Sequence, residues 1–289
     1  MVDIGRLGVW TFALRSLSGG ELADAVGVLE GAGYGALWFP GGSPAGAAAH
    51  ARGVLGCSSR LAVATGIVSI WAGDPPEIAA AARELDRAHP GRFLLGLGAS
   101  HPELVDRDVP GRYAHPVDAV ARFLDALDAE DPGADARARV LAALGPRMLR
   151  LAGQRTAGAH PYFVPVEHTA FAREVLGPGA LLAPEQAVVL EPDPTQARAV
   201  ARQHMQVYLG LRNYTANLRR FGFTDDDLAA GGSDRLVDAV VAWGPLERVA
   251  ERVRSHFDAG ADHVCLQVLT ATQGALPLAE WRELAGALA

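Results

Sequence analysis

Apolar residues along this chain gather into short, dense runs separated by amphipathic, alanine-rich stretches. The runs are RLGVWTF (6–12), YGALWF (34–39), RLAVATGIV (60–68), RFLLGLG (92–98), RVLAAL (139–144), a short one near Gly158-Ala159-His160, LLAPEQAVVL (181–190) and DHVCLQVL (262–269). They are too short for helices and too uniformly apolar for a sheet with one wet face. They therefore predict strands buried on both sides, the habit of parallel sheets. The first four begin roughly 30 residues apart, the length of one strand–helix unit. Eight such units predict an α/β fold, a closed (β/α)8 TIM barrel, forming one domain over residues 1–289.

The intervening stretches carry helix punctuation. Ser18, with Glu21 three residues on, reads as a capping box that opens a helix running to about Ala32, and Gly31 and Gly33 end it. Pro75-Pro76 open a helix over 77–88 that Pro90-Gly91 closes, and Pro245 opens one over 246–259 that Gly260 stops. Residues 191–242 exceed what one unit needs. They hold a helix near 194–208, then LRNYTANLRRFGF and GGSDRLVDAVVAW. The stretch reads as an insertion late in the chain, on the C-terminal face where such barrels carry lids and substrate loops. The alternative is an open doubly wound sheet. Against it, no Gly-x-Gly-x-x-Gly follows the first strand, and the partial match Gly96-Leu97-Gly98-Ala99-Ser100-His101 follows the fourth.

Composition narrows the chemistry. A formal net charge of −7 argues against a nucleic-acid partner. All 26 basic residues are arginine, so any anion must be held by Arg, His or backbone N–H groups. Cys57 and Cys265 lie in apolar surroundings and read as small core residues, not as a disulfide or zinc ligands. HExxH, CxxC, Gly-x-Ser-x-Gly and Walker patterns do not occur, and no metal site is expected. Asp3 and Arg6 interrupt the N-terminus before an apolar leader forms, and no run reaches the ~18 residues of a membrane span. The chain is expected to be soluble and cytoplasmic, with no membrane partner.

Candidate chemistry sits at the strand ends. Thr65-Gly66-Ile67 and Gly96–Ser100 close the third and fourth strands with small residues, which let a flat ligand approach the backbone; the alternative is plain strand glycines packed on neighbours. His101 is either a proton or hydrogen-bond donor, or an exposed loop histidine ahead of Pro102. Gly145-Pro146-Arg147 open a helix, whose free N–H groups suit an anion, or simply start it. Gly158-Ala159-His160-Pro161 is a further small-residue strand end or a turn. Trp10, Trp38 and Trp71 fall near strand ends and either clamp an aromatic ligand or pack in the core. Trp71, in a loop, reads as binding and Trp243, before a helix, as packing.

Several segments in order are similar to one family: GRLGVWTF, GYGALWFP, RLAVATGIVSIWAGDP, HPGRFLLGLGASH, RYAHPVDAVARFLDALD, LAALGPRMLRLAGQRTAGAHPYFVP, LLAPEQAVVL, LRNYTANLRRFGF, GSDRLVDAVVAWG and AGADHVCLQVL. Together they resemble the luciferase-like monooxygenase superfamily, in its branch of F420-dependent oxidoreductases. The resemblance implies coenzyme F420, or alternatively FMN, at the C-terminal face of the barrel. It places a non-proline cis peptide at Gly66–Ile67 behind the middle ring, and His101 as the catalytic residue. Gly145, Pro146 and Arg147, then Gly158 and His160, would hold the phosphate, and Trp10, Phe39, Thr65, Gly98 and Ser100 complete the cofactor set. Trp71, Tyr208, Asn213 and Tyr214 are the expected substrate contacts. The implied reaction is hydride transfer between deazaflavin C5 and a small organic substrate, in the direction that reduces an imine, enone or alkene. An FMN-dependent monooxygenase and a catalytically impaired cofactor-binding barrel are the alternatives, and a homodimer is the implied assembly. One position departs from the pattern: Gly41 follows Trp38-Phe39-Pro40 where similar proteins carry an ionisable residue. Either His101 handles the proton alone, or the substrate supplies its own acid–base group, or activity is lost. His50, on the following helix, is the nearby candidate to reach back.

Overall fold

Every predicted run forms a strand. A computed structural model describes residues 1–130, 135–272 and 274–289. In chain order the strands are β1 (Leu7–Trp10), β2 (Ala36–Phe39), β3 (Ala62–Thr65), β4 (Val68–Ser69), β5 (Phe93–Gly98), β6 (Arg139–Leu141), β7 (Gly158–Ala159), β8 (Leu181–Leu182), β9 (Glu185–Val189), β10 (Val241–Trp243) and β11 (Val264–Val268). The helices are α1 (Gly19–Ala32), α2 (Pro44–Gly56), α3 (Pro75–Ala88), α4 (Pro102–Asp108), α5 (Pro116–Glu130), α6 (Pro146–Arg155), α7 (Val166–Leu176), α8 (Pro194–Leu209), α9 (Arg212–Arg220), α10 (Asp225–Leu228), α11 (Asp234–Val240), α12 (Leu246–Asp258) and α13 (Leu278–Leu288).

All pairings are parallel, and they run β11-β1-β2-β3-β5-β6-β7-β8. The 181–189 run closes the barrel. Its first half pairs β7, with Ala183 N–H donating to Ala159 and Glu185 N–H to Pro161, and its second half pairs β11. Two of the eight runs are each split into two short strands, β3/β4 and β8/β9, and β10 adds outside the ring on β9. This is a TIM-barrel fold, and the period-two alternation of each strand explains its two cores. Leu37, Phe39, Val63, Leu95, Leu97 and Leu266 face out against the helices, while Ala36, Trp38, Ala62, Ala64, Leu94 and Cys265 face the barrel axis.

The inner core is small at its walls because large polar rings fill the axis. A Cβ on Gly8 would lie 2.6 Å from His263 Nε2, so glycine is what admits that ring. Helix punctuation follows the sequence with one correction. Ser18 is the N-cap of α1, but its side chain makes no cap hydrogen bond, so the expected capping box does not form. Gly33 ends α1 in the left-handed conformation, at φ 90°. No helix among the described residues is long and apolar enough to cross a membrane.

Candidate active site

The C-terminal ends of β1, β2, β3, β5, β6 and β7 surround one cavity of about 660 Å³. Its lining includes Trp10, Gly66, Ile67, Ser100, His101, Gly145, Pro146, Arg147, His160, Tyr208, Asn213 and Tyr214 from the expected set. Parallel strands bring these residues together because each contributes its last position or the first of the following loop. The volume lies within the 300–1,000 Å³ typical of cofactor and ligand sites.

One wall is nearly bare backbone. The Gly66–Ile67 peptide is cis. The Ile67 side chain turns away onto β5, where a Cβ on Gly98 would stand 2.9 Å from Ile67 Cδ1 and one on Gly96 3.2 Å from Cγ2. Gly98 therefore makes room for Ile67 and does not itself line the cavity, which corrects its expected cofactor contact. Thr65 is corrected likewise. Its hydroxyl donates to Gly96 O (2.9 Å) and accepts from Gly96 N–H (2.8 Å), which pins β3 to β5. Phe39 faces outward, fully buried edge-on against His50 at 4.5 Å, because Trp38 takes the inward position. Gly158 is needed for strand pairing, since a Cβ there would lie 1.9 Å from Leu181 O. Trp71 stands behind the wall, donating from Nε1 to Ala99 O at 2.7 Å. Trp38 is core as well, so of the three candidate indoles only Trp10 lines the cavity.

His101 is the N-cap residue of α4, but its ring lies inside the cavity, tilted against Tyr214 at 4.7 Å. Burial pushes its pKa down to about 4, against a smaller opposing pull from Glu103. The imidazole is uncharged at neutral pH, and its Nδ1 is buried with no partner in the protein. Asn213 ties the neighbouring turn to α9, donating to Ser100 O (3.2 Å) and to the Tyr113 hydroxyl (2.9 Å).

Gly41 is closed to any side chain. A Cβ there would lie 2.6 Å from Ile67 O and 2.7 Å from Val68 N and Cα. Gly42 forms a parallel bridge to Val68 at the same place. The missing ionisable residue is thus a packing consequence. His50 does not replace it: the ring lies on α2 against Phe39, outside the cavity lining.

At the other end the cavity meets the N-terminus of α6, where Gly145 is the N-cap residue without a side-chain cap. Arg147 is 71% exposed and 3.6 Å from Asp118. Arg220 is the cation that sequence reading missed. It lines the cavity with a guanidinium nitrogen 3.9 Å from where a Gly145 Cβ would be, and its other nitrogen donates to Asn217 Oδ1 at 3.1 Å. Asn217 Nδ2 is buried with no partner in the protein. Both lie on α9, three residues apart and so on one face, the only signal the sequence held for them. Four tyrosines crowd the roof. Tyr162 donates to Gln267 Oε1 (2.6 Å), Tyr208 shares a 2.7 Å hydrogen bond with Tyr162, and Tyr214 packs edge-on against Tyr208. Tyr113 stands with them at the mouth.

The His160 ring is held from behind, its Nδ1 2.7 Å from Ala183 O. It sits on the barrel axis beside Trp10 and stacks on Trp38 at 4.2 Å. Unpartnered buried polar atoms such as His160 Nε2, Trp10 Nε1 and Asn217 Nδ2 cost about 1–3 kcal/mol each when left unmade. Among the described residues, Trp10 Nε1, His101 Nδ1, His160 Nε2 and Asn217 Nδ2 belong to side chains that line the cavity, while others, such as His50 Nε2 and Trp281 Nε1, lie away from it.

A parallel barrel with one deep cavity at its C-terminal mouth defines the class of a cofactor- or substrate-binding barrel. Residues 8–263 match the luciferase-like monooxygenase family, and the chain belongs to it. No curated protein matches the sequence. Among solved structures, the fold is similar to an F420-dependent secondary alcohol dehydrogenase in complex with an F420-acetone adduct, at TM-score 0.75, 12% identity and full coverage of both chains. It is also similar to a coenzyme F420-dependent tetrahydromethanopterin reductase from Methanopyrus kandleri (TM-score 0.67, 15% identity, 99% and 97% covered). A third is the FMN-bound oxygenating constituent of 3,6-diketocamphane monooxygenase from Pseudomonas putida (0.67, 14%, 99% and 97%). At these identities the likeness is one of fold.

Proposed function

We propose that this chain is an F420-dependent oxidoreductase that moves a hydride between the deazaflavin and a small organic substrate. The observation that carries the reading is the order of surfaces in the cavity. A flat wall at Gly66–Ile67 lies at one end, and a helix N-terminus backed by Arg220 and Asn217 lies at the other. A planar ring joined to a phosphate-bearing tail fits that order. Arg147, exposed in the first turn of α6 and 3.6 Å from Asp118, is a second, weaker cation at the same end, open to a tail that continues past its phosphate, as in F420.

When bound, the coenzyme supplies the carbon that gives or accepts the hydride. The protein's own part is positioning and proton control. The Ile67 side chain, turned onto β5, leaves the wall flat. The N–H groups of Arg147 and Met148, with Arg220 and Asn217, hold the anionic end. The tyrosines on α8 and α9 cover the mouth and exclude water, which makes the 191–242 insertion the lid. His101 is the proton-handling group, since its ring lines the cavity and burial keeps it neutral at working pH. The expected substrates are imines, enones or alkenes.

The test is anaerobic incubation with reduced F420 and a panel of such acceptors, following the return of oxidised coenzyme. Turnover of any acceptor supports the reading. Oxygen consumption with reduced FMN, and none with reduced F420, would replace it with a monooxygenase.

A further inference from the structure

Four tyrosines line the cavity, and their hydrogen bonds divide them. Tyr162 gives its one proton to Gln267 Oε1, at 2.6 Å. In the 2.7 Å bond between Tyr162 and Tyr208, Tyr208 must therefore be the donor, so its proton is committed too. Tyr113 accepts from Asn213 Nδ2 at 2.9 Å. Of the four, only the Tyr214 hydroxyl has no hydrogen bond to any described residue.

That hydroxyl is also open. Trp10 Nε1, His101 Nδ1 and His160 Nε2 are unpartnered atoms sealed from solvent, and the Tyr214 hydroxyl is not among such atoms. The side chain borders a cavity of about 660 Å³. Its ring is held on three sides, by His101 at 4.7 Å, by Phe163 at 5.5 Å and edge-on by Tyr208 at 5.5 Å. Burial, with Tyr208 and Glu185 adding to it, pushes the phenol pKa well above its ordinary value, so the proton stays on at working pH. A fixed ring with a free O–H is a preorganised hydrogen-bond donor.

Charge narrows what it can meet. Among the lining residues only Arg147 and Arg220 are charged at neutral pH, since burial holds His101 and His160 near 4. Both arginines stand at the α6 end, and Tyr214 lies six residues before Arg220 on α9, ~9 Å along the helix. No carboxylate lines the cavity to pair a cation, and an unpaired buried charge is costly, which disfavours an iminium ion. A plain alkene has no acceptor, so it would displace water from the Tyr214 O–H and leave that bond unmade.

We propose that Tyr214 donates a hydrogen bond to the carbonyl oxygen of an uncharged substrate and polarises it, which narrows the hydride acceptors to enones. The donor stands on geometry; that its partner is a hydride acceptor rests on the oxidoreductase reading above.

The test uses full-length protein and cyclohex-2-enone labelled with carbon-13 at the carbonyl, read by isotope-edited infrared spectroscopy. A carbonyl that accepts a hydrogen bond stretches at lower frequency. The expected result is saturable binding with the stretch below its value in an aprotic solvent. Tyr214→Phe keeps the ring and its packing, so the stretch should return toward that value and binding should weaken about five- to tenfold. If that variant does not fold, 3-fluorotyrosine incorporated throughout the unaltered chain serves instead, since a more acidic phenol must lower the stretch further. No saturable binding, an unshifted stretch, the same shift in Tyr214→Phe, or no response to fluorotyrosine would overturn the proposal. F420 is added in a separate arm, with its own fluorescence reporting binding. If F420 binds and expels the enone, the donor serves the coenzyme and the proposal falls while the oxidoreductase reading stands. If F420 does not bind while the enone still shows the Tyr214-dependent shift, the oxidoreductase reading fails and the carbonyl site stands.

Discussion

Gly41→Ala tests whether the family's ionisable residue is missing for reasons of packing. The new methyl carbon would sit 2.6 Å from Ile67 O and 2.7 Å from Val68 N and Cα. Carbon contacts are comfortable near ~3.5 Å, so the overlap approaches ~1 Å. All three opposing atoms are backbone, so no side chain can swing aside. Overpacking of a close-packed site costs about 1–3 kcal/mol. At roughly 2–4 °C per kcal/mol for a large domain, the melting temperature should fall by roughly 2–12 °C. Ile67 lines the cavity, so the strain also moves the wall on which a flat ring would lie. Scanning calorimetry of wild type and variant, with and without F420, reads both effects, and ligand stabilisation should shrink in the variant. An unchanged melting temperature with unchanged F420 affinity would refute the packing argument. So would a gain of turnover in Gly41→Glu, which the structure gives no room for.

Arg220→Ala should weaken binding of a phosphate-bearing coenzyme by about tenfold or more, with a loss that shrinks at high salt. Arg147→Ala should cost less, because that side chain is largely solvated and faces Asp118; equal losses measured by fluorescence titration would misplace the anionic end. His101→Gln should lower turnover about 10²-fold or more while leaving coenzyme affinity nearly intact. An unaltered rate on the true substrate would remove His101 from the proton step. Stability should also fall in acid. Burial holds His50, His101, His160, His168, His204 and His263 near 4 and His256 near 3 in the folded chain, against 6.5 when exposed. The unfolded chain takes up those protons first, so stability present above pH 6.5 is lost as pH drops toward 4. Buried Glu185, raised to about 8, acts oppositely, its contribution fading as pH rises from 4.5 through 8. A melting temperature flat between pH 6.5 and 4 would contradict this assignment of buried neutral imidazoles.

The barrel was legible because burial on both faces leaves a local mark: runs such as LLGLG and VCLQVL can belong to few other structures. Proline and glycine punctuation was legible for the same reason, although the Ser18 cap shows that a motif does not guarantee its hydrogen bond. Side-chain direction at the strand ends was less legible. Trp38 and Phe39 are neighbours, and which faces the axis depends on register, so Phe39 was misplaced by one step of the pleat. Thr65, Gly98 and Gly158 lie at the right strand ends but serve strand pairing and the seating of Ile67, long-range contacts that no local pattern announces. Trp71 has the right loop and the wrong side of the wall. Arg220, Asn217, Tyr162 and Tyr113 were missed because their place in the cavity depends on how distant segments fold over the barrel mouth. The departure at Gly41 was visible as a letter, but its cause, the backbone of Ile67–Val68, was not.

The central claim is that the cavity holds a deazaflavin, ring against Gly66–Ile67 and tail toward Arg220. Titrating the purified apo-protein with F420 and, separately, with FMN, each followed by its own fluorescence, tests it most directly. The account predicts saturable binding of F420, weakened in Arg220→Ala, with FMN binding more weakly or not at all. Preference for FMN, or binding of neither, would contradict it.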